Sequence, residues 1–206
     1  MLDFTGAMKE LMADIVVRCP ELNHIRLDQV LVGLNRARKS DGTGQLAKIC
    51  PLRFEGGRDW MLHRRYRYVM PRLMHQGQEV LYVIYFCMPK FQNLALEDKL
   101  LTVFHEMYHI SPEFNGDVRR FPGRKFAHGY SRESYNAKVR RLVEAYLGSG
   151  ASSAKREFLE PSFRELERRY SGVAGLKVPQ PRPLLERVPS EPSTRKPQRA
   201  AASKEG

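Results

Sequence analysis

Five consecutive residues, His105-Glu106-Met107-Tyr108-His109, make a pattern that chemistry explains better than folding does. On a helix, positions four apart share a face one turn apart, so both imidazoles can reach one metal ion. Glu106 then stands beside that ion, where it can take a proton from an activated water and pass it to a leaving amine. The chemistry this predicts is hydrolysis, with Zn2+ as the metal, His105 and His109 as ligands and Glu106 as the base. A chance match at this composition would arise in about one such chain in a hundred. Two histidines and a glutamate inside an apolar helix are also costly unless something pairs them, and a metal does so economically.

The element that must hold these groups is a helix over residues 94–110. Leu100, Val103, Met107 and Ile110 recur at helical spacing, Leu101, Phe104 and Tyr108 widen the stripe, and Pro112 stops it. Glu97 and Asp98 suit the positive end of its dipole. Just upstream, Glu79–Cys87 is β-branched and aromatic throughout and reads as the clearest strand. This order of elements resembles that of zincin-type zinc peptidases, in which a strand near the active-site helix offers its edge to an extended peptide, and that layout is expected here. Phe4, Ala7, Met8, Leu11, Met12, Ile15 and Val16 predict an amphipathic helix over residues 3–18. Residues 25–37 begin with strand-like alternation, and 45–54 read as the returning strand after a turn-forming cluster. The stretch 66–74 fits helix and strand equally. Past a Gly- and Arg-rich loop, a helix is expected over 131–147.

At 206 residues, 42% of them hydrophobic, the chain suffices for one domain and an appendage. Residues 1–150 are expected to form the catalytic domain and 151–175 an accessory helix, while the proline-rich stretch 176–206 reads as a disordered basic tail. Cys19, Cys50 and Cys87 are odd in number and lack paired spacing, which points to reduced thiols in the cytoplasm and away from a cysteine zinc site. The first residues do not read as a signal peptide, and no apolar run reaches membrane-spanning length. The net charge of +12 invites a polyanion such as nucleic acid, through the basic loop or the tail. A second function class therefore stands beside the hydrolase: a basic nucleic-acid-binding protein of phage or mobile-element origin, with a structural or regulatory metal.

A catalytic zinc site needs a third protein ligand. His128 leads on ligand preference and on its place in the loop after the helix, with a carboxylate from the next helix, Glu133 or Glu144, as the alternative. Tyr130 and Tyr135 follow closely enough to donate to an oxyanion, although packed tyrosines are the plainer account.

Phe104-His-Glu-Met-Tyr-His-Ile-Ser-Pro-Glu-Phe-Asn-Gly116 together with Phe126-Ala-His-Gly129 resembles the phage-type and prokaryotic HExxH metallopeptidases, which are in turn similar to SprT-like zincins. The resemblance spans roughly residues 25–147 and is specific around those two segments. It implies an α+β, zincin-like metallopeptidase core, with a small, mainly antiparallel sheet packed on the active-site helix. It also implies Zn2+ held by His105, His109 and His128, Glu106 as catalytic base, and a peptide or protein substrate. No cysteine follows Cys87, so the zinc ribbon that SprT-like enzymes often carry has no counterpart. Some SprT-like proteases digest proteins crosslinked to DNA. Arg119, Arg120, Arg124 and Lys125 would suit such work, against the simpler account of a solvated loop.

Overall fold

A computed structural model describes residues 1–37, 44–122 and 131–187. In chain order these form β1 (Leu2–Asp3), α1 (Phe4–Arg18), β2 (Val30–Arg36), β3 (Ala47–Pro51), β4 (Trp60–His63), β5 (Tyr66–Val69), β6 (Leu73–His75) and β7 (Gln78–Val80). There follow β8 (Tyr82–Met88), α2 (Leu96–Tyr108), α3 (Arg132–Gly148), α4 (Phe163–Tyr170), β9 (Val173–Ala174) and β10 (Leu184–Arg187). The architecture is α+β, as the sequence predicts.

β8 organises the rest. Every one of its residues is buried, because it is a central strand, parallel to β2 and antiparallel to β3, with a hydrophobic cluster on each face. Its alternation sends Tyr82, Ile84, Phe86 and Met88 into one cluster with the helices, and Val83 and Tyr85 into a second on the opposite face. Three expectations change here. The run Glu79–Cys87 is not one strand: it divides at Leu81, whose N–H bonds to the carbonyl of Gln29, and β7 pairs with β6 instead. β3 does not return along β2, since β8 lies between them. The sheet against α2 is therefore mixed, and antiparallel pairing prevails in the outer sheets β10–β5–β4 and β6–β7.

On the helical side, α1 buries Phe4, Met8, Leu11, Met12 and Ile15, each worth about 1.5–3 kcal/mol of apolar transfer. Asp3 caps it by accepting from the Gly6 N–H at 3.1 Å. Phe4 meets Phe86, Phe91 and Phe158 edge to face, with centroids 5.9, 6.2 and 5.6 Å away. Phe158 and Leu159 thus join residues 151–175 to the same core. That segment is bolted from beneath by Lys99 of α2, which is only 1% exposed and donates to the carbonyls of Leu159 and Pro161. Gln92 donates to Phe158 and Pro161.

The stretch expected as a disordered tail differs from that expectation as far as Arg187. Leu176 and Val178 cover the second face of the sheet, the Leu176 carbonyl accepts from the Leu34 N–H at 2.8 Å, and β10 adds to β5. Two apolar residues spaced for one face suffice to cover a strand pair, and the flanking prolines favour the extended backbone that this requires. Residues 188–206 lie outside the described part. Among the described residues no helix is long and apolar enough to cross a membrane.

Candidate active site

α2 owes its placement to Leu100, Val103, Phe104 and Met107, all buried between the sheet and α3. It ends at Tyr108, two residues earlier than the sequence suggests, so His109 is its capping residue. The chain then hooks back. Ile110 bridges Val118, and the Arg119 N–H bonds to the His109 carbonyl at 2.6 Å. Tyr82 pins the hook by accepting from the Gly116 N–H at 2.9 Å and donating to the Asp117 carbonyl at 2.8 Å. Gly116 is needed there: its φ is +85°, and a Cβ would stand 2.5 Å from the Arg53 side chain.

The two imidazoles converge. Their Nε2 atoms stand 3.1 Å apart, with the rings at 80° to one another. Two nitrogens bound to one tetrahedral zinc would be about 3.3 Å apart, so this geometry fits a shared metal. Glu106 is 7% exposed, and burial pushes its carboxyl up to about 7, with the Ile49 backbone amide pulling the other way. No lysine or arginine among the described residues forms an ion pair with this carboxyl, so a cation beside it would offset a real desolvation cost. The donor set suits a divalent metal.

Tyr135 of α3 is what sequence reasoning left unassigned. Its ring stacks on His109 with centroids 5.1 Å apart and meets His105 edge-on at 4.9 Å, while its hydroxyl donates to the His105 carbonyl at 3.2 Å. Burial, and then the Glu106 charge, hold this phenol well above its ordinary range. It orients both histidines and is packed rather than turned to solvent, the plainer of the two expectations.

A groove of about 680 Å³ opens beside His105 and Glu106, floored by Leu94, Leu101 and Val139 and walled by the start of β3. β3 supplies the edge that had been expected from the strand before α2. The Cys87 N–H bonds to the Leu46 carbonyl at 2.8 Å, so even-numbered residues from 46 onward turn their backbone to β8, and Ala47, Ile49 and Pro51 turn theirs outward. Pro51, which has no N–H to offer, sits at an outward position as an edge strand requires.

Of the other expected site residues, His128 and Tyr130 lie outside the described residues, as do Arg124 and Lys125. Glu133 and Glu144 are exposed on α3, and no group of three His, Cys, Asp or Glu among the described residues is placed to hold a metal. Arg119 and Arg120 are not a free basic loop. Arg119 lies over the Tyr108 ring at 4.3 Å and donates to the Tyr108 carbonyl, and Arg120 grips Asp117 with two nitrogens. Cys19, Cys50 and Cys87 are free and buried.

The fold presents a His-Glu-x-x-His helix to an open groove beside an edge strand. The chain belongs to the family described as "Putative phage metallopeptidase", whose profile matches residues 5–146. No curated protein and no solved structure matches it. Membership makes it a peptidase in general terms, implies a metal ion, and implies peptide or protein substrates.

Proposed function

We propose that this chain is a zinc-dependent metallopeptidase of zincin-like design, in which His105, His109 and His128 hold the metal and Glu106 is the general base. The observation that carries the reading is the 3.1 Å approach of the two Nε2 atoms beside a buried carboxyl at the groove. A bound zinc ion supplies Lewis-acid polarisation of the scissile carbonyl and lowers the pKa of water there. The chain does the rest. The outward backbone groups of Ala47 and the Ile49 carbonyl pair with an extended peptide, while the Ile49 N–H serves Glu106, giving binding that depends little on side chains. The groove floor shelters the scissile bond from bulk water. The Glu106 carboxylate takes the proton of the attacking water and returns it to the leaving amide nitrogen. Tyr135 keeps both imidazoles aimed.

Elemental analysis tests the ligands and a Glu106→Gln variant tests the base. Near-stoichiometric zinc in the full chain, lost in His105→Ala/His109→Ala and weakened in His128→Ala, is the expected result. Glu106→Gln keeps its zinc and loses casein hydrolysis by at least about a hundredfold, the range of general-base catalysis. Zinc that survives the double substitution, or undiminished hydrolysis in Glu106→Gln, would overturn the assignment. The salt bridge of Arg120 to Asp117 and the packing of Arg119 weaken the rival reading, a nucleic-acid-binding loop beside a structural metal.

A further inference from the structure

Backbone pairing along the β3 edge reads no sequence, so any preference among substrates has to come from the groove wall opposite. That wall is built from one face of α2 and one face of α3. Arg140 of α3 donates to Glu97 of α2 at 3.3 Å, and the Tyr135 hydroxyl donates to the His105 carbonyl. The two helices therefore run antiparallel across the wall. Arg132, one turn before Tyr135, lies at the His105 end of it. Arg140 lies at the other end, about 12 Å away at the helical rise per residue. That exceeds a Debye length of about 8 Å at physiological salt, so a ligand meets the two ends as separate charge environments.

The wall is chemically graded. In its middle, Leu94 and Leu101 are half-buried beside the buried Val139, an apolar floor left partly open. At the far end each charge has a structural reason: Arg140 has Glu97, and Asp98 stands in the first turn of α2, where the helix dipole favours a carboxylate. The His105 end differs. Arg132 is the first residue of α3, so its cation stands at the positive end of that helix, where it is of the wrong sign. It lines the groove, is exposed, and makes no ion pair among the described residues. A cation that opposes its own helix and borders an apolar cleft fits a ligand that is aliphatic on the floor and anionic beside the histidines.

We propose, resting on the peptidase reading above, that the groove selects peptides in which an aliphatic residue seats on Leu94, Leu101 and Val139 and a neighbouring carboxylate binds Arg132. Arg132 is a specificity-determining residue, and the carboxylate falls within two residues of the scissile bond. Three residues of α3 from Arg132 to Tyr135 span about 4.5 Å, less than two residues of extended peptide at about 3.3 Å each. The planar guanidinium matches a carboxylate through two parallel hydrogen bonds. An Asp or Glu side chain and the peptide's own C-terminus both supply that group. A substrate lysine or arginine in the same place would meet Arg132 and be repelled.

The test uses the full chain carrying Glu106→Gln with zinc added, so that binding is read without turnover, and fluorescein-labelled peptides followed by anisotropy. The parent is Gly-Ala-Ala-Leu-Asp-Ala amide. Asn for Asp removes the charge, Lys reverses it, Ser for Leu removes the aliphatic group, and Gly-Ala-Ala-Leu-Ala with a free carboxylate moves the charge to the C-terminus. The Asp peptide, the free-carboxylate peptide or both should bind about three- to tenfold tighter than the Asn peptide, and which one does names the source. Ser for Leu should cost at least about threefold. Adding Arg132→Gln should abolish the preference for the carboxylate, and Arg132→Glu should turn it towards Lys; the side chain is exposed, so neither disturbs the core. Arg141→Gln, the same charge change on α3 outside the groove lining, should alter affinity less than about twofold. Equal binding of charged and Asn peptides, a preference that survives Arg132→Gln, or no binding by any peptide would each overturn the proposal. The peptidase reading fails on a different readout, casein hydrolysis by the wild type.

Discussion

The β2–β8–β3 sheet buries both its faces, whereas the β10–β5–β4 sheet buries neither. Both are rich in tyrosine, valine, leucine and methionine, so strand propensity does not separate them. What separates them is cover. The first sheet lies between the α1–α2–α3 layer and the Leu176–Val178 segment, while the second has no layer on either side among the described residues. Side chains in the first hold the fold and fix the histidine helix; those in the second stay half-buried or exposed.

The sharpest way to break that comparison is to make the same kind of cut in both sheets. Phe86→Ala should lower the unfolding free energy by about 3–5 kcal/mol, since it empties the contact among Phe4, Phe86 and Phe91. Leu62→Ala, at a site 57% exposed, should change it by no more than about 0.5 kcal/mol. Urea denaturation measures both, and comparable losses would mean that the outer sheet is covered after all. A charge gives a second contrast. Lys99→Met leaves the Leu159 carbonyl without its donor inside the core and should cost about 1–3 kcal/mol at pH 7. Burial lowers the Lys99 pKa below its ordinary 10.5, with Glu165 opposing. In that window the unfolded chain binds more protons than the folded one, so wild-type stability gains as pH rises towards 10.5. Lys99→Met lacks this gain, and the gap between the two should widen with pH; a narrowing gap would contradict the buried, charged lysine.

The same contrast explains what the sequence made legible. α1 and α2 were readable because each buries one face, and burial stamps its period on the residues. The stretch 66–74 was ambiguous for the opposite reason: β5 has no buried face, so Tyr66-Arg-Tyr-Val carries no enforced alternation. Glu79–Cys87 read as one strand because Val80, Leu81 and Tyr82 are all buried, and nothing polar marks the point where the chain changes sheets. The edge beside Glu106 was assigned to the wrong strand, because pairing partners far apart in the chain leave no local signal. At the site, the His-Glu-x-x-His spacing placed His105, Glu106 and His109 together, but spacing could not reveal that Tyr135, 26 residues beyond His109, stacks on that ring.

Tyr135 yields a smaller effect that locates the boundary between fold and site. Tyr135→Phe keeps the ring on His109 and removes only the hydroxyl that donates to the His105 carbonyl. It should lower stability by about 0.5–1.5 kcal/mol, and zinc affinity should fall with it if His105 is a ligand as proposed, because the carbonyl lies on that residue. Competition with a chromogenic chelator reads the affinity separately from the unfolding. Lost stability with unchanged affinity would make Tyr135 a packing residue only.

The smallest effect sets the two regions against each other most directly. Arg64→Gly, at the turn residue of the outer sheet that takes a positive φ, should raise the unfolding free energy by about 0.5 kcal/mol. Relief of left-handed strain at Arg64, worth about 1 kcal/mol, is partly offset by the freedom glycine gives the unfolded chain. Few substitutions of exposed arginines stabilise a protein, so the sign matters more than the size. A gain in stability would show that the Arg64 side chain does not support its own turn. A loss would mean that it does, and the solvated sheet would then have to be explained by folding, as the buried one is.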